Sequence, residues 1–226
     1  GLLSVKNEIR FTNSYNYGLL KMKSFFDASI NFNTATINSS GYFVNDSINF
    51  GAITNNASFT NSVNSGNIAG NIDMTNGQNG GIINGSGIFY DSTNEGIING
   101  GSLFDSSINA SIGVLKGPSI IMNYSINSGH IQSNEFDRSE WIDNQLSGIM
   151  INASFTTLFG VVFDNSINRG VIDTKTLLNH STNESIINKS AVFISSINNQ
   201  SQSLIGVING DSIFYNHSDN NSLING

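Results

Sequence analysis

Phe59-Thr60-Asn61-Ser62-Val63-Asn64-Ser65-Gly66-Asn67-Ile68 carries one full copy of the pattern that decides the fold of this chain, the frame Phe-x-x-Ser-x-Asn-x-Gly-x-Ile. Upstream the frame returns as Phe11-Ser14-Asn16-Gly18-Leu20, and downstream as Phe89-Ser92-Asn94-Gly96-Ile98 and Phe163-Ser166-Asn168-Gly170-Ile172. Counted from the aromatic, its first position falls on Phe11, Phe26, Val44, Phe59, Met74, Phe89, Phe104, Met122, Phe163, Leu178 and Phe193. Most steps are fifteen residues; those from Phe26 to Val44 and from Phe104 to Met122 are eighteen, read as a three-residue insertion at one corner. The phase is lost over residues 132–162 and 200–214, after which Tyr215-Ser218-Asn220-Ser222-Ile224 restores it. A fixed short period is the mark of a stacked repeat, in which each unit buries its apolar side only against its neighbours.

The repeated centre excludes helix, because Asn, Ser and Gly all disfavour helix interiors. Its alternation Ser-x-Asn-x-Gly-x-Ile has period two, as a strand requires. Fifteen residues cannot hold a helix, a strand and two turns. The expected fold is therefore all-β, a single-stranded β-solenoid of about thirteen coils with a 15-residue repeat, continuous over residues 1–226. At a spacing of about 4.8 Å it would form a rod on the order of 60 Å long. Burying one Phe and one Ile stabilises a coil by roughly 3 to 6 kcal/mol, against on the order of 20 kcal/mol to order fifteen residues. Several coils must form together.

Composition narrows the function classes. Charged residues make up 11% of the chain, the net charge is −7, and nine Lys and Arg are scattered, so no basic stripe awaits phosphates and no nucleic acid partner is expected. There is no Cys, which excludes disulfides and thiolate metal sites. No apolar run approaches 18 residues, so no membrane insertion is expected. Gly1-Leu2-Leu3 and Leu223-Ile224-Asn225-Gly226 read as pieces of the frame, and a mature fragment or a segment cut from a longer array is expected.

Within a coil, the first-position Phe and tenth-position Ile are the expected interior, stacked like on like. Small residues two before the ring, as at Ala57, Ser102 and Ala191, leave room for it. The eighth-position Gly suits a corner or a close backbone approach, since Gly tolerates positive φ. The sixth position is Asn16, Asn31, Asn49, Asn64, Asn79, Asn94, Asn109, Asn127, Asn168, Asn183 and Asn198. A buried amide ladder at a bend would satisfy backbone groups there; an exposed Asn row binding glycans is the alternative. The fifth position is apolar at Ile30, Ile48, Val63, Ile108, Ile126, Ile167 and Ile197, and the ninth at Ile82, Ile97, Ile112, Val171 and Ile186. Either these point outward as a lengthwise apolar stripe suited to lateral association, or a corner flips the parity and the fifth joins the core.

The coil Asn56-Ala57-Ser58-Phe59-Thr60-Asn61-Ser62-Val63-Asn64-Ser65-Gly66-Asn67-Ile68-Ala69-Gly70 resembles the Ala-Thr-Phe-Asn-Asp-Ser-Ser-x-Asn-x-Gly-x-Val-x-Gly arrays of large bacterial and metagenomic surface proteins. Its Asn-x-Gly-x-Ile centre is similar to the passenger repeats of autotransporter adhesins. The resemblance covers most of the chain outside the two irregular stretches, and degenerate coils such as Phe193-Ser196-Asn198-Gln200 depart from it. It implies a β-solenoid with a fibrous or adhesive role at a cell surface.

Catalytic signatures are missing: no phosphate-binding Gly loop, no His-Glu-x-x-His and no Gly-x-Ser-x-Gly. His130, His180 and His217 fall in different coils. One segment concentrates chemistry, Ser133-Asn134-Glu135-Phe136-Asp137-Arg138-Ser139-Glu140-Trp141-Ile142-Asp143, with the only Trp of the chain. It is either a loop that binds glycans, with Trp141 stacking on a sugar and Glu135, Asp137, Glu140 and Asp143 as polar partners, or a solvated insertion whose Phe136 and Trp141 close a gap in the stack. The expectation is a structural extracellular rod, part of a surface fibre, filament or virion fibre, whose partner is itself. A glycan-binding adhesin or phage tail-fibre shaft is the alternative, and a polysaccharide-cleaving β-helix enzyme a third reading; no enzyme activity and no cofactor are expected.

Overall fold

The computed structural model describes residues 8–117, 120–132, 136–137, 158–199 and 206–226. It is an all-β solenoid whose three parallel sheets, each of twelve strands, run the length of the stack. Each coil gives one strand to each sheet, four or five residues to the first and two to the second and third, as in Ala57–Thr60, Val63–Asn64 and Asn67–Ile68. Coil 1 begins with Glu8–Thr12 and coil 12 with Ser212–Tyr215. Twelve rungs at the usual strand spacing make a rod about 55 Å long.

Among the described residues the rungs number twelve, and the irregular stretch after Gln132 adds none to the three sheets. Ile120–Asn123 pairs directly with Val161–Asp164, Ile126–Asn127 with Ile167–Asn168, and His130–Ile131 with Val171–Ile172. The chain leaves the stack from the third side and rejoins it at the first, and Phe136–Asp137 pairs antiparallel with Leu158–Phe159.

Strict alternation sets the interior. In the first sheet the first-position ring and the residue two before it point inward, and rings stack along the axis: Phe11 on Phe26 at 4.7 Å, Phe26 on Phe43 at 4.6 Å, Phe43 on Phe59 at 4.6 Å, Phe89 on Phe104 at 4.8 Å. The two inward residues trade volume. Phe26, Phe59 and Phe104 accompany Ser24, Ala57 and Ser102, whereas Met74 and Met122 accompany Ile72 and Ile120, and all of these are buried. Where Gly87 precedes Phe89, a Cβ would stand 2.5 Å from the ring. In the third sheet Ile37, Ile53, Ile68, Ile83, Ile98, Leu115, Ile131, Ile172, Ile187 and Ile208 complete the core.

Register differs from the sequence reading at five places. The first position of coil 3 is Phe43, not Val44: Gly41 and Phe43 face inward while Tyr42 and Val44 face outward. The extra residue sits in the following corner, where Asn45 and Asp46 both adopt left-handed φ, 52° and 62°. Coil 12 repeats this with Asn216 and His217 at 50° and 59°, so its ring is Phe214, not Tyr215. Each eighteen-residue step is split between two corners, because Phe26 pairs with Phe43 and Leu115 precedes Ile120 by an added residue. Ile112 lies in an enlarged bend, 69% exposed, and Val114 occupies the rung position between Ile97 and His130. The second phase loss ends before Phe214, since Val207–Ile208 already pairs with Ile186–Ile187.

Candidate functional site

Three devices make the corners, and they use nearly every polar residue of the frame. The first corner turns at a left-handed residue, Asn13, Ala28, Asn61, Asn76, Asp91, Ser106, Tyr124, Asn165, His180 or Ser195, with φ of 46–52°. Except in the coil of Asn76, where it is Gly77, the next residue is the fourth-position Ser. Its hydroxyl donates back across the corner, Ser107 to Asp105 O at 2.8 Å and Ser166 to Asp164 O at 2.7 Å. Its Oγ also accepts the backbone N–H of the preceding coil's fourth residue, as in Ser92 N–H to Ser107 Oγ and Ser107 N–H to Ser125 Oγ, both 3.0 Å. The frame exposed this Ser in sequence, yet its role needs the corner carbonyl that only the fold brings near.

The second device is the asparagine file. Asn16, Asn31, Asn49, Asn64, Asn79, Asn94, Asn109, Asn127, Asn168, Asn183 and Asn198 lie in one line, with Asn220 as the twelfth. Each Nδ2 donates to the Oδ1 of the next coil's Asn at 2.7–2.8 Å. The file crosses the 41-residue step from Asn127 to Asn168 without a break. From Asn31 to Asn198 every member is fully buried. Asn16, Asn49, Asn64, Asn79 and Asn183 also clamp their own coil through both ends of the amide: Asn49 Oδ1 accepts Gly51 N–H at 3.2 Å, and Asn49 Nδ2 donates its other hydrogen to Gly51 O at 3.1 Å. These amides are thus saturated, and their O and N cannot exchange places without losing both clamp bonds.

The third device is the eighth-position Gly, required by close approach and not by φ. A Cβ on Gly66 would stand 2.0 Å from Gly51 O, and one on Gly96 2.0 Å from Gly81 O. The left-handed residues are instead at the third position.

The alternation continues through the bend, so the fourth, sixth, eighth and tenth positions point inward and the fifth and ninth outward. The fifth-position column reads Tyr15, Ile30, Ile48, Val63, Gln78, Thr93, Ile108, Ile126, Ile167, Thr182, Ile197 and Asp219 along the second sheet, apolar in two runs with polar breaks. At its start Tyr15 and the neighbouring Tyr17 are 60% and 61% exposed, and Tyr17 stacks on Phe32 of coil 2 at 4.4 Å. Those rings lie face to face along the axis and so present their edges outward.

A second outward column was missed in the sequence. Ile88, Leu103, Ile121, Val162, Leu177, Val192 and Ile213 occupy the residue before each ring in seven successive coils of the first sheet. Val162, Leu177 and Val192 are completely buried, so both faces of the sheet are covered there. The signal was present: Val161-Val162-Phe163, Leu177-Leu178 and Ala191-Val192-Phe193-Ile194 are continuous apolar runs rather than alternating ones, the mark of a strand buried on both faces.

Of the proposed glycan-binding residues, Glu135, Glu140, Trp141 and Asp143 lie outside the described residues. Asp137 is described only as backbone of its two-residue strand. Charged contacts elsewhere are local. His130 pairs with Asp173 across adjacent coils, and Arg169 with Glu184 at 2.8 Å. A hydrogen bond from Asn188 holds the Asp173 carboxyl below its usual range, with the His130 contact adding to it against a smaller cost of burial. His180 and His217 sit on separate corners. Among the described residues, no group of three or more His, Asp or Glu converges on a point where a metal would be held. No protein-family model, no curated protein and no solved structure matches this chain.

Proposed function

We propose that this chain is a structural rod, a segment of an extracellular surface fibre or filament that associates with copies of itself, and that it has no enzymatic role. The observation that carries the reading is the continuity of the asparagine file through all twelve coils, including the 41-residue step at Asn127. A frame that commits its Asn, Ser, Gly, Phe and Ile to contacts with the adjacent coil spends its sequence on axial stiffness. Such a stack is quasi-one-dimensional: it transmits load along its axis and lengthens by adding coils. Its surface repeats the same residue types in rows and offers a cell-surface fibre lateral contact along the fifth-position column. Small-angle X-ray scattering and electron microscopy at low concentration test the reading. A stiff particle about 55 Å long and one coil wide supports it; a compact globule or a bending chain would remove it.

A further inference from the structure

We propose that the outward face of the second sheet docks on the same face of a second copy of this chain, antiparallel, about a twofold axis between coils 5 and 6. The inference rests on the reading of the chain as a self-associating rod and fixes the orientation of its partner. Coils 5 and 6 begin with Ile72–Thr75 and Gly87–Tyr90. The face spans coils 2–9, from Ile30–Asn31 to Ile167–Asn168, and all of its strands are among the described residues. The long excursion leaves after the third sheet and rejoins at the first, on the side of the stack away from this face. Along the face Ile108 is 41% exposed, and Ile30, Ile48, Val63, Ile126 and Ile167 are half-buried. A lengthwise apolar stripe of this kind marks an association surface.

A twofold axis parallel to the strands lays each column on itself. It sets coil 5 on coil 6 of the second copy, 4 on 7, 3 on 8 and 2 on 9. Under that operation the fifth-position column is a palindrome: Val63 meets Ile108, Ile48 meets Ile126 and Ile30 meets Ile167. The polar break falls on itself, Gln78 against Thr93. Gln78 Nε2 already donates to Glu95 Oε2 at 2.7 Å, which leaves Gln78 Oε1 to accept the Thr93 hydroxyl of the second copy. The flanking columns agree in charge. At the first corner Asp91 meets Asn76, and Asp46 meets the Tyr124 hydroxyl. At the seventh position Glu95 meets the bare backbone of Gly80, and Arg169 meets the Phe32 ring as a cation–π pair.

Shape follows the same symmetry. A groove of about 860 Å³ borders the face across coils 3–6, between the corner residues Asp46 to Asp91 and the fifth-position Ile48, Val63 and Gln78. Tyr124 projects from the same corner in coil 8, 65% exposed, and the twofold brings it over coil 3, at the Asp46 end of the groove. Tyr124 is also held at a left-handed φ of 46°, a costly conformation for a bulky side chain. Other arrangements match less well. A parallel pair lays the third position on the seventh and opposes Asp91 to Glu95 at both borders, which costs affinity. Moving the antiparallel register one coil onward opposes Asp91 to Asp91 and Glu95 to Glu95, and one coil back puts Val63 on Thr93 and takes Arg169 off Phe32. In the proposed register those like charges stand one coil apart. The overlap is about 34 Å long, at the small end of specific interfaces, so the dissociation constant should be on the order of micromolar.

Charge substitutions on the paired column test the contact. Val63→Lys and Ile108→Glu change outward side chains, and circular dichroism verifies that each retains the β spectrum of the parent. In sedimentation velocity the parent should reach a closed dimer and grow no further, as a twofold contact requires. Each variant alone should self-associate at least about tenfold more weakly, because every dimer then sets two charges on apolar side chains. An equimolar mixture should recover the dimer, since one contact joins the two charges and the other keeps the parent's Val and Ile. Disulfide trapping in this Cys-free chain reads the orientation. Val63→Cys mixed with Ile108→Cys should link on oxidation, and neither should link to itself. Self-linked Val63→Cys overturns the antiparallel arrangement, and a charge mixture that stays monomeric overturns the register. Dimers that survive each charge substitution unweakened overturn the face. A parent that stays monomeric overturns the inference, and small-angle scattering of the same sample separates the two readings. A stiff monomer about 55 Å long leaves the rod in place, whereas a compact or bending particle removes both.

Discussion

Replacing Asn94 by Ala in the middle of the stack should cost far more than the same change at the end. Asn94 donates to Asn109 Oδ1 at 2.8 Å and to Gly96 O at 3.1 Å, and accepts from Asn79 Nδ2 at 2.8 Å. Alanine leaves an N–H of Asn79 and the Oδ1 of Asn109 without the Asn94 amide that paired with them and without water, since Asn79, Asn94 and Asn109 are all fully buried. A buried polar group left without its partner costs about 1–3 kcal/mol, so the two orphaned amides alone come to about 2–6 kcal/mol. The cavity left by the side chain adds to that. Asn220 is exposed in coil 12, where it donates to Ser222 O and accepts from Asn198 Nδ2; water can replace both bonds there, so Asn220→Ala should lose only about 1 kcal/mol. Urea titration followed by far-ultraviolet circular dichroism, with both variants beside the parent, measures the difference. The central change should also broaden the transition, because stability in a stack is a sum of coil-to-coil terms and one weak interface lets the two halves melt separately. Equal losses at Asn94 and Asn220, or a loss at Asn94 below about 1 kcal/mol, would refute the claim that the file is a buried, saturated ladder.

Glycine and corner residues give further tests. Gly96→Ala, whose Cβ would lie 2.0 Å from Gly81 O, should lose at least about 3 kcal/mol by overpacking. Gly18→Ala, with nothing within 4 Å, should be neutral, and equal thermal shifts for the two would contradict the close-approach explanation. Ala28 is exposed and held at φ 46°, so Ala28→Gly should gain about 0.5–1 kcal/mol by relieving left-handed strain, read as a higher melting temperature; a lower one would show that this corner is not strained. Because the Asp173 carboxyl is held below the ordinary Asp value of 3.8, its contribution is present above that value and is lost as pH falls through the lower folded value. Asp173→Asn should therefore flatten the acid limb of the stability curve, and an unchanged limb would mean that the Asn188 and His130 contacts do not act on folding.

The period, the β-solenoid class and the Phe, Asn and Ile ladders were legible because they rest on like-on-like stacking, which writes the same residue at the same place in every coil. What the sequence hid was geometry at the corners. Val44 and Tyr215 passed for the first position because an apolar residue stood one place after the true ring in both coils, and nothing in the letters shows that Asn45-Asp46 and Asn216-His217 turn with two left-handed residues rather than one. The letters left the eighth-position Gly either a corner or a close backbone approach; Asn, Asp, Ala, Ser, Tyr and His carry the left-handed φ, and Gly serves the close approach. Parity through the bend was undecidable from pattern alone, since a turn between the fifth and eighth residues would have inverted it. The structure shows that the Asn clamp bends the chain without interrupting the alternation. The outward column of the first sheet falls outside the repeated frame, because the residue before the ring is not part of it. The expected glycan-binding residues broke the frame and therefore carried no positional information of their own.

The most direct test of the account is to observe the amide file itself. Through-hydrogen-bond nuclear magnetic resonance couplings, from the side-chain nitrogen of one Asn to the side-chain carbonyl carbon of the next, report both the existence and the direction of each bond. The expected result is an unbroken series from Asn16 to Asn220, each step running toward the C-terminus and including the step from Asn127 to Asn168. Side-chain amides that exchange with water as freely as exposed ones, or couplings that reverse direction along the stack, would contradict it.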